Sequence, residues 1–363
     1  MIPFFGLARE HKAFSREYLS ILKKSFLSGK VLQGKEIQSL EIKLANLHKR
    51  KYAVAVNSCT DALYFSLLSL NLKENDEVLV TNFSYVASAS SIVRANLKPV
   101  FVDVNNSYNT DLKIAKKLIT KRTKVLLYVH LFGQMGSPKE ILEFCKENNL
   151  ILIEDVAQAF GAERENKFAG SLGRISCVSF DPTKIIAAPG SGGAILCDRK
   201  DDYEKIKKLR YHGKSSNGKF QNIGFNSQMP SITAALILHK LNKNEEWRDK
   251  RLKIAKYYID NLENFVNVPF AESLESHVYH KFVIQVKNQK KLIDHLESRN
   301  IQSMIHYKNT LSSNNYLKKY VKNRNYLKKS EGLTKRVVSL PIHPFLRSVE
   351  IEKITETVKK FIS

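Results

Sequence analysis

The sequence predicts an α/β protein, in which a large and mostly parallel β-sheet covered by helices precedes a smaller C-terminal α/β unit. Three observations support this. The chain of 363 residues is long enough to form one substantial core and a smaller second one. Between residues 51 and 197, short apolar runs alternate with amphipathic stretches, which is typical of parallel strands joined by helices. After residue 247 the composition becomes more polar and richer in lysine.

The first unit contains apolar runs of strand length, and the segments between several of them have apolar residues at helical spacing. Strands are predicted at residues 52–57, 77–81, 99–104, 124–130, 150–154, 175–180 and 193–197. Helices are predicted at residues 61–70, 84–95, 137–148, 202–209 and 231–247.

The second unit begins with a helical stretch at residues 251–262. Its predicted strands are residues 281–286, 302–305 and 337–340, and its further helices are residues 289–299 and 349–361. Residues 309–332, rich in Asn, Ser, Lys and Tyr, are predicted as a long connection. We therefore predict a large domain over residues 1–247, which includes an N-terminal arm, and a small domain over residues 248–363.

The net charge and the cysteine content limit the classes of function that the protein can have. The formal net charge is +24, which favours anionic partners. The excess is spread over short lysine clusters typical of solvated surfaces, so an anionic small substrate is favoured over nucleic acid. No apolar run reaches the roughly 20 residues that cross a bilayer, and no signal peptide is recognisable, so we expect a cytoplasmic protein without a membrane partner. The four cysteines show no metal-type spacing, and we expect reduced thiols and no metal site.

Residues that directly follow strands deserve the closest reading, because ligands of open α/β sheets bind at the carboxyl ends of the strands. Asp155 stands at such an end, and a carboxylate there can pair with a protonated ring nitrogen of a heterocycle. Taken alone, Asp155 is equally explained as the cap of a following helix.

Lys184 follows the strand at 175–180 and precedes a glycine-rich segment, residues 189–193. A lysine held in such a turn can form an imine with an aldehyde if its amine is partly desolvated. Ser179, at the same strand end, can donate a hydrogen bond to a phosphate. In isolation, Lys184 would be read as one of many surface lysines.

Two further strand ends suit the same ligand. Ser58, Cys59 and Thr60 precede a predicted helix, whose free amides and positive dipole end would attract a phosphate. Tyr85 follows the next strand and could stack on a flat ring. Each has a simpler explanation, helix capping for the hydroxyl residues and core packing for Tyr85. Together, the four strand ends indicate pyridoxal 5'-phosphate (PLP).

The chain also resembles the DegT/DnrJ/EryC1/StrS family of sugar aminotransferases, nearly from end to end. The segments that carry the resemblance are residues 31–34, 57–63, 130–134, 154–159, 179–184, 224–227, 305–307 and 340–344. The strongest are the Glu-Asp-Val-Ala-Gln run at 154–158 and the Ser-Phe-Asp-Pro-Thr-Lys run at 179–184. The resemblance implies the aspartate aminotransferase-like fold, that is, fold type I of PLP-dependent transferases.

The same resemblance implies roles for individual residues. Lys184 would bind the cofactor aldehyde and shuttle protons, Asp155 would pair with the pyridinium nitrogen, and Gln158 would donate to the ring hydroxyl. The cofactor phosphate and ring would be held by Ser58, Cys59, Thr60, Ser179 and Tyr85. Family members are homodimers with shared active sites, which implies that Asn226 reaches the phosphate of the partner's cofactor.

Three positions depart from the family pattern: Cys59 stands where glycine is frequent, Ile185 where asparagine is frequent, and Gln228 where arginine is frequent. The change at Cys59 leaves the backbone amides of the phosphate seat available. Those at Ile185 and Gln228 concern sugar contacts, so no sugar-contact residue is assigned from the resemblance.

The implied activity is transfer of an amino group from L-glutamate to a nucleotide-linked keto-6-deoxyhexose, for amino-sugar and surface-glycan synthesis such as that of lipopolysaccharide O-antigen. The preferred acceptor is a dTDP-linked 3-keto or 4-keto sugar. Two alternatives stay open: a PLP-dependent sugar dehydratase, whose members carry histidine where Lys184 stands, and a non-catalytic regulatory protein of the same fold. Asp155, Gln158 and Lys184 together favour the enzyme, since a binding protein needs none of them.

Overall fold

The computed structural model describes residues 1–215, 217–269, 271, 273, 275–322 and 324–362. Its α-helices are α1 (Leu7–Ala13), α2 (Ser15–Leu27), α3 (Lys35–Leu47), α4 (Cys59–Ser69), α5 (Ala87–Arg94), α6 (Leu112–Leu118), α7 (Pro138–Glu147), α8 (Lys200–Arg210), α9 (Ser231–Leu241), α10 (Asn244–Leu262), α11 (Gln289–Ser298), α12 (Lys328–Leu333) and α13 (Ser348–Ile362). Its strands are β1 (Tyr52–Val56), β2 (Glu77–Thr81), β3 (Lys98–Val102), β4 (Thr123–Val129), β5 (Ile151–Asp155), β6 (Glu163–Arg164), β7 (Lys167–Phe168), β8 (Ile175–Ser179), β9 (Gly193–Cys197), β10 (Phe282–Gln285) and β11 (Val337–Leu340).

A seven-stranded sheet in the order β1-β9-β8-β5-β4-β2-β3 forms the centre of the molecule. The strands from β8 to β3 are parallel, and β9 is antiparallel to both of its neighbours. The predicted large, mostly parallel sheet is therefore confirmed. All of its predicted strands are present, with ends that differ by at most two residues.

Helices bury both faces of this sheet, and the strand sequences show why. Val54 and Val56 of β1 pack into the apolar cluster on one face, together with Phe65 of α4. Ala53 and Ala55 of the same strand pack into the cluster on the other face, with Leu40 of α3 among others. Because successive side chains of a strand point to opposite faces, a strand covered on both sides must be apolar at every position.

The C-terminal unit is built around the antiparallel pair β10 and β11, in which Phe282 lies opposite Leu340. Helices α10, α11 and α13 cover this pair with an apolar core of their own. The predicted strand at 302–305 is wrong, because in this segment only Met304 pairs with β11, through an isolated bridge to Ser339. The backbone N–H of Gln302 instead donates to the carbonyl of Ile2 at 3.0 Å, so the N-terminus takes part of the pairing that a strand would need.

The predicted helix at 231–247 is two helices, since α9 ends at Leu241 and α10 begins at Asn244. The proposed domain boundary after Trp247 falls inside α10, and the division into two domains stays a prediction. The predicted connection at 309–332 consists largely of short helical turns. Within the ranges described, no helix is long and apolar enough to cross a membrane.

A buried glutamate at the end of β5 fixes the loop that leads to β8. Glu154 accepts hydrogen bonds from the backbone N–H groups of Gly170, Leu172 and Gly173 at 2.7–2.8 Å, and its Oε1 lies 3.1 Å from Nε2 of His130. Burial alone would raise the pKa of Glu154, but the bond to His130, its charge and the N–H groups outweigh it and lower the pKa to about 2 from 4.5. The carboxylate therefore stabilises the folded state.

We expect Glu154→Gln to lower the free energy of unfolding at pH 7 by about 3 kcal/mol, because the loop amides and His130 lose a charged acceptor. A carboxyl whose pKa is lowered on folding stabilises the protein above its unfolded pKa of about 4.5, and this contribution is lost as the pH falls towards 2. Urea unfolding of both proteins between pH 3 and pH 7 should show the difference shrinking in acid. Glu147→Gln on α7, where the glutamate is exposed, serves as the control; equal stability losses for the two variants would contradict the prediction.

Candidate active site

The ends of four strands of the large sheet open into one cavity of about 430 Å³, a volume typical of small-ligand sites. Eight of the nine predicted site residues line it: Ser58, Cys59, Thr60, Tyr85, Asp155, Gln158, Ser179 and Lys184. These residues are separated by up to 126 positions in the sequence, and the parallel strands bring them together because their carboxyl ends share one edge of the sheet.

Asn226, the ninth predicted residue, does not line this cavity. It pairs with Tyr211 through an isolated antiparallel bridge at the base of the segment that joins α8 to α9. The expectation for Asn226 concerned the partner's cofactor, and a single chain leaves it a prediction.

Asp155 is buried, with 4% of its surface exposed. Its Oδ2 accepts a hydrogen bond from Oγ of Ser88 at 3.0 Å, and its Oδ1 accepts one from the backbone N–H of Ala157 at 3.1 Å. Burial raises its pKa, although these donors and the charge of Lys184 act in the opposite direction. In the described residues no cation forms an ion pair with Asp155, so a buried carboxylate faces the cavity with capacity for one.

Gln158 is held in one orientation by its amide oxygen, which accepts from the backbone N–H of Phe132 at 3.0 Å. Its amide nitrogen points the other way and donates to the hydroxyl of Tyr307 at 2.9 Å. A backbone N–H can only donate, so the atom of Gln158 that faces Phe132 must be the amide oxygen and the other must be the nitrogen. The arrangement places an N–H donor at the cavity wall.

Lys184 ends a tight turn after β8. Asp181 holds this turn, since its Oδ1 accepts from the backbone N–H and from the hydroxyl of Thr183 at 2.9 and 2.6 Å, and its carbonyl accepts from the N–H of Lys184 at 2.9 Å. The carbonyl of Thr183, in the same peptide group, lies 2.9 Å from Nε2 of His280. The peptide group that precedes Lys184 is thus anchored at both its carbonyl and its N–H, and Lys184 lines the cavity.

The segment between β1 and α4 forms the predicted phosphate seat. Oγ of Ser58 accepts from the N–H of Asp61 at 3.1 Å, so the helix-capping interpretation of Ser58 is correct, and the residue lines the cavity as well. A Cβ at Gly193 would lie 2.5 Å from the carbonyl carbon of Ser58, so glycine is required for β9 to lie this close. Burial, followed by the charge of Asp155, raises the pKa of the Cys59 thiol. The thiol is therefore neutral and does not repel an anion.

Tyr85 is 58% exposed and lies at the mouth of the cavity. The alternative interpretation as a core tyrosine is therefore wrong.

Ser179 is buried, and its Oγ accepts from the N–H of Asp181 at 3.3 Å. Its hydroxyl hydrogen remains available to a ligand.

Sequence reasoning missed several residues of this cavity. They are Phe5, Ser88, His280, Lys281, Met304, His306 and Tyr307. Ser88 lies on α5, and its hydroxyl is 3.2 Å from that of Ser84 in the preceding loop; a serine within a predicted helix is only a weak signal. His306 and Tyr307 belong to a segment that carried the family resemblance without an assigned role. Burial lowers the pKa of His280 well below its usual value and that of His306 to about 3, so both imidazoles are neutral at pH 7.

In the described part of the chain, no group of three or more His, Cys, Asp or Glu side chains is placed to hold a metal ion. The polar groups in the cavity are instead hydroxyls, one side-chain amide, the imidazoles of His280 and His306, the carboxylates of Asp155 and Asp181, and two amines. This set suits an organic cofactor that carries a phosphate and a basic ring nitrogen.

Comparison with known proteins agrees with this set of donors. Residues 13–359 match the model of the DegT/DnrJ/EryC1/StrS aminotransferase family. A dTDP-3-amino-3,6-dideoxy-alpha-D-galactopyranose transaminase of Aneurinibacillus thermoaerophilus is 34% identical, over 99% of both chains. A pleiotropic regulatory protein of Geobacillus stearothermophilus is 29% identical over 99% of this chain and 98% of its own length.

Among solved structures, S. venezuelae DesV in complex with a ketimine intermediate superimposes with a TM-score of 0.96 at 27% identity. It is covered over 98% of its length, and this chain over 100%. The match extends over both the large sheet and the C-terminal unit, and it agrees with the predicted fold type I. The protein is a member of the DegT/DnrJ/EryC1/StrS aminotransferase family.

Proposed function

We propose that this protein is a PLP-dependent aminotransferase that transfers an amino group from L-glutamate to a nucleotide-linked keto-6-deoxyhexose. One observation carries the proposal: the amine of Lys184 and the buried carboxylate of Asp155 share a cavity with a helix N-terminus. These are the three groups that a pyridoxal phosphate needs, for its aldehyde, its ring nitrogen and its phosphate.

The residues present fit this cofactor. Asp155 is a buried carboxyl group without a cationic partner in the described residues, and the ionised form of such a group is stable only when it is paired. A protonated pyridine nitrogen would supply that pair. Across the cavity, Ser58, Thr60 and Ser179 offer hydroxyls and the first turn of α4 offers backbone N–H groups, which suit a phosphate dianion.

When bound, the cofactor supplies an aldehyde that takes up the amino group and a ring that withdraws electrons from the substrate carbon. The protein's part is positioning and proton transfer. Lys184 would carry a proton between C4′ of the cofactor and the substrate carbon, and Asp155 would keep the ring nitrogen protonated. Gln158, oriented by the N–H of Phe132, would hold the ring hydroxyl, and Tyr85 would cover the ring at the mouth of the cavity.

We favour a dTDP-linked 3-keto or 4-keto sugar as the acceptor. The transaminase of A. thermoaerophilus, which is named for a dTDP-linked sugar, supports this choice. The net charge of +24 also favours a substrate that carries a diphosphate, because it raises the local concentration of anions. The product would be an amino sugar for a surface glycan such as lipopolysaccharide O-antigen, made in the cytoplasm.

The proposal includes a homodimer with shared active sites, in which Asn226 reaches the partner's cofactor phosphate. The location of Asn226 outside its own cavity supports this arrangement. A mass measurement in solution that gives the monomer would contradict it.

Two other functions are less well supported. The sugar dehydratases of this fold carry histidine at the position of Lys184, and the lysine here speaks against that activity. A regulatory role has one specific observation in its favour, the likeness to the pleiotropic regulatory protein of G. stearothermophilus. A regulator would not need a half-buried lysine and a buried carboxylate facing one cavity, and these favour catalysis.

The proposal is tested in two steps on the purified holoprotein. Addition of L-glutamate should convert the absorbance band of the bound cofactor to that of its aminated form, and 2-oxoglutarate should be released. The aminated protein is then offered dTDP-, UDP- and GDP-linked keto-sugars, and mass spectrometry detects the exchange of ketone for amine. If glutamate leaves the absorbance spectrum unchanged, the proposal is wrong. If kcat/KM is higher with a UDP- or GDP-linked sugar than with the dTDP-linked one, only the assigned nucleotide is wrong.

A further inference from the structure

Lys281 is a second lysine in the cavity. It directly precedes β10, and only 4% of its surface is exposed. Lys281 and Lys184 line both the main cavity and a smaller adjoining one of about 30 Å³. The charge of Lys184 also acts on Lys281, so Lys281 extends from the C-terminal unit to the neighbourhood of Lys184.

No carboxylate of the described residues forms an ion pair with Lys281. Its amine lies over the rings of Phe4 and Phe5, at 5.2 and 4.4 Å from their centres. Lys240, which is also buried among the described residues, shows the usual arrangement, since its amine lies 2.5 Å from Glu10 and donates to the carbonyl of Ala187 at 2.6 Å. Lys281 is therefore a buried amine whose natural partner, an anion, is missing from the protein around it.

The neighbouring groups do not supply that anion or compete for one. The charge of Asp181 acts on Lys281, but Oδ1 of Asp181 accepts from the backbone N–H and the hydroxyl of Thr183, and the described residues show no ion pair between Asp181 and Lys281. His280 and His306 are neutral, as described above. Arg251 donates to the carbonyls of Tyr279 and Ile342 and does not line the main cavity.

We propose that Lys281 binds the α-carboxylate of the amino donor and thereby selects α-amino acids as donors. This inference rests on the proposed function. The α-carboxylate is bonded to the carbon whose proton Lys184 moves, so it must lie close to the amine of Lys184. Of the residues that line the main cavity, Lys281 is the cation left for this carboxylate once Lys184 acts as the proton carrier.

The surroundings of Lys281 also favour a bound anion. Burial, and after it the charges of Lys184 and Arg251, lower the pKa of Lys281 well below its usual value. A carboxylate placed beside this amine acts in the opposite direction, because it stabilises the protonated form.

The experiment compares L-glutamate with L-isoglutamine, in which the α-carboxylate is an amide, in the first half-reaction. For each donor we measure the rate constant for conversion of the cofactor band and divide it by the donor's dissociation constant. In the wild-type holoprotein this ratio should be about 100-fold higher for glutamate than for isoglutamine. Lys281→Met keeps the apolar stem between the phenylalanine rings but removes the charge, and it should reduce this preference to below about 5-fold. Lys281→Arg should retain part of it. Lys287→Met, an exposed lysine beyond the other end of β10, is the matched control and should leave the preference unchanged.

A second measurement does not depend on turnover. Calorimetric titration of the holoprotein with glutarate, a dicarboxylate that cannot react, should give a dissociation constant at least about 10-fold higher for Lys281→Met than for wild type. Cofactor content and melting temperature report whether the variant is folded. A folded Lys281→Met variant that still prefers glutamate by 100-fold overturns this inference and leaves the proposed function standing. A wild-type protein whose cofactor band does not respond to glutamate overturns both.

Discussion

Replacing Lys184 by alanine is expected to lower turnover by at least about 10³-fold while leaving the fold intact. Activity is lost because the amine that carries the proton is removed, and the neighbouring amine of Lys281 belongs to a different element. The fold should persist because, in the part of the chain described, the side chain of Lys184 makes neither a hydrogen bond nor an ion pair. The rate of 2-oxoglutarate formation and the melting temperature measure the two effects.

Chemical labelling tests the same assignment without a substitution. Borohydride reduction of the wild-type holoprotein, followed by peptide mass mapping, should find the cofactor attached to Lys184. Lys200→Ala, which removes an exposed lysine at the start of α8, should keep full activity and full labelling. Attachment to another lysine, or substantial turnover by Lys184→Ala, would remove the assignment of Lys184.

Replacing Asp155 by asparagine should separate catalysis from stability. We expect turnover to fall by about 10³-fold, since a neutral amide cannot keep the ring nitrogen protonated. The apoprotein, in contrast, should become more stable at pH 7. Burial raises the pKa of Asp155, so the folded apoprotein is destabilised as the pH rises above the unfolded value of 3.8 and the carboxyl ionises. Asparagine removes that charge and can keep the contacts to Ser88 and to the N–H of Ala157.

Thermal unfolding of the cofactor-free proteins measures the gain, which we expect to be a few degrees at pH 7 and to vanish near pH 3. With cofactor bound, the order should reverse, because only the carboxylate can pair with the ring. Asp201→Asn on α8, where the aspartate is exposed, should change neither quantity. An Asp155→Asn apoprotein that is less stable than wild type at pH 7 would show that the carboxylate is needed for folding.

The strands of the large sheet were predictable because each is buried on both faces and must be apolar throughout. Residues 77–81 and 193–197 were predicted to the residue. The segment at 302–305 also has strand-like composition, yet the backbone of Gln302 bonds to Ile2 at the far end of the chain. Such competition between distant backbone segments leaves no local pattern, and the prediction was wrong for that reason.

The candidate site divides in the same way. Asp155, Ser179 and Lys184 follow strands of one sheet, and the parallel arrangement of those strands makes their proximity a consequence of the local sequence. The orientation of Gln158 was not predictable, because it depends on a bond from the backbone N–H of Phe132. Phe132, in the loop after β4, has a positive φ of 58°, a conformation that the local sequence does not indicate. Ser88 escaped notice for a similar reason, since its hydroxyl meets Asp155 only when α5 packs against the end of β5.

From the order of its residues alone, this chain reveals an α/β fold, a PLP-type set of strand-end residues and membership of a sugar aminotransferase family. Local patterns suffice for these because apolar periodicity and motif spacing are properties of short segments. Packing decided the rest: the C-terminal unit sets His280 and Lys281 beside the turn of Lys184, about a hundred residues away in sequence, and Tyr307 against Gln158. Whether a lysine is one of many solvated surface charges or a buried, unpaired amine depends on what surrounds it, and only the folded chain determines that.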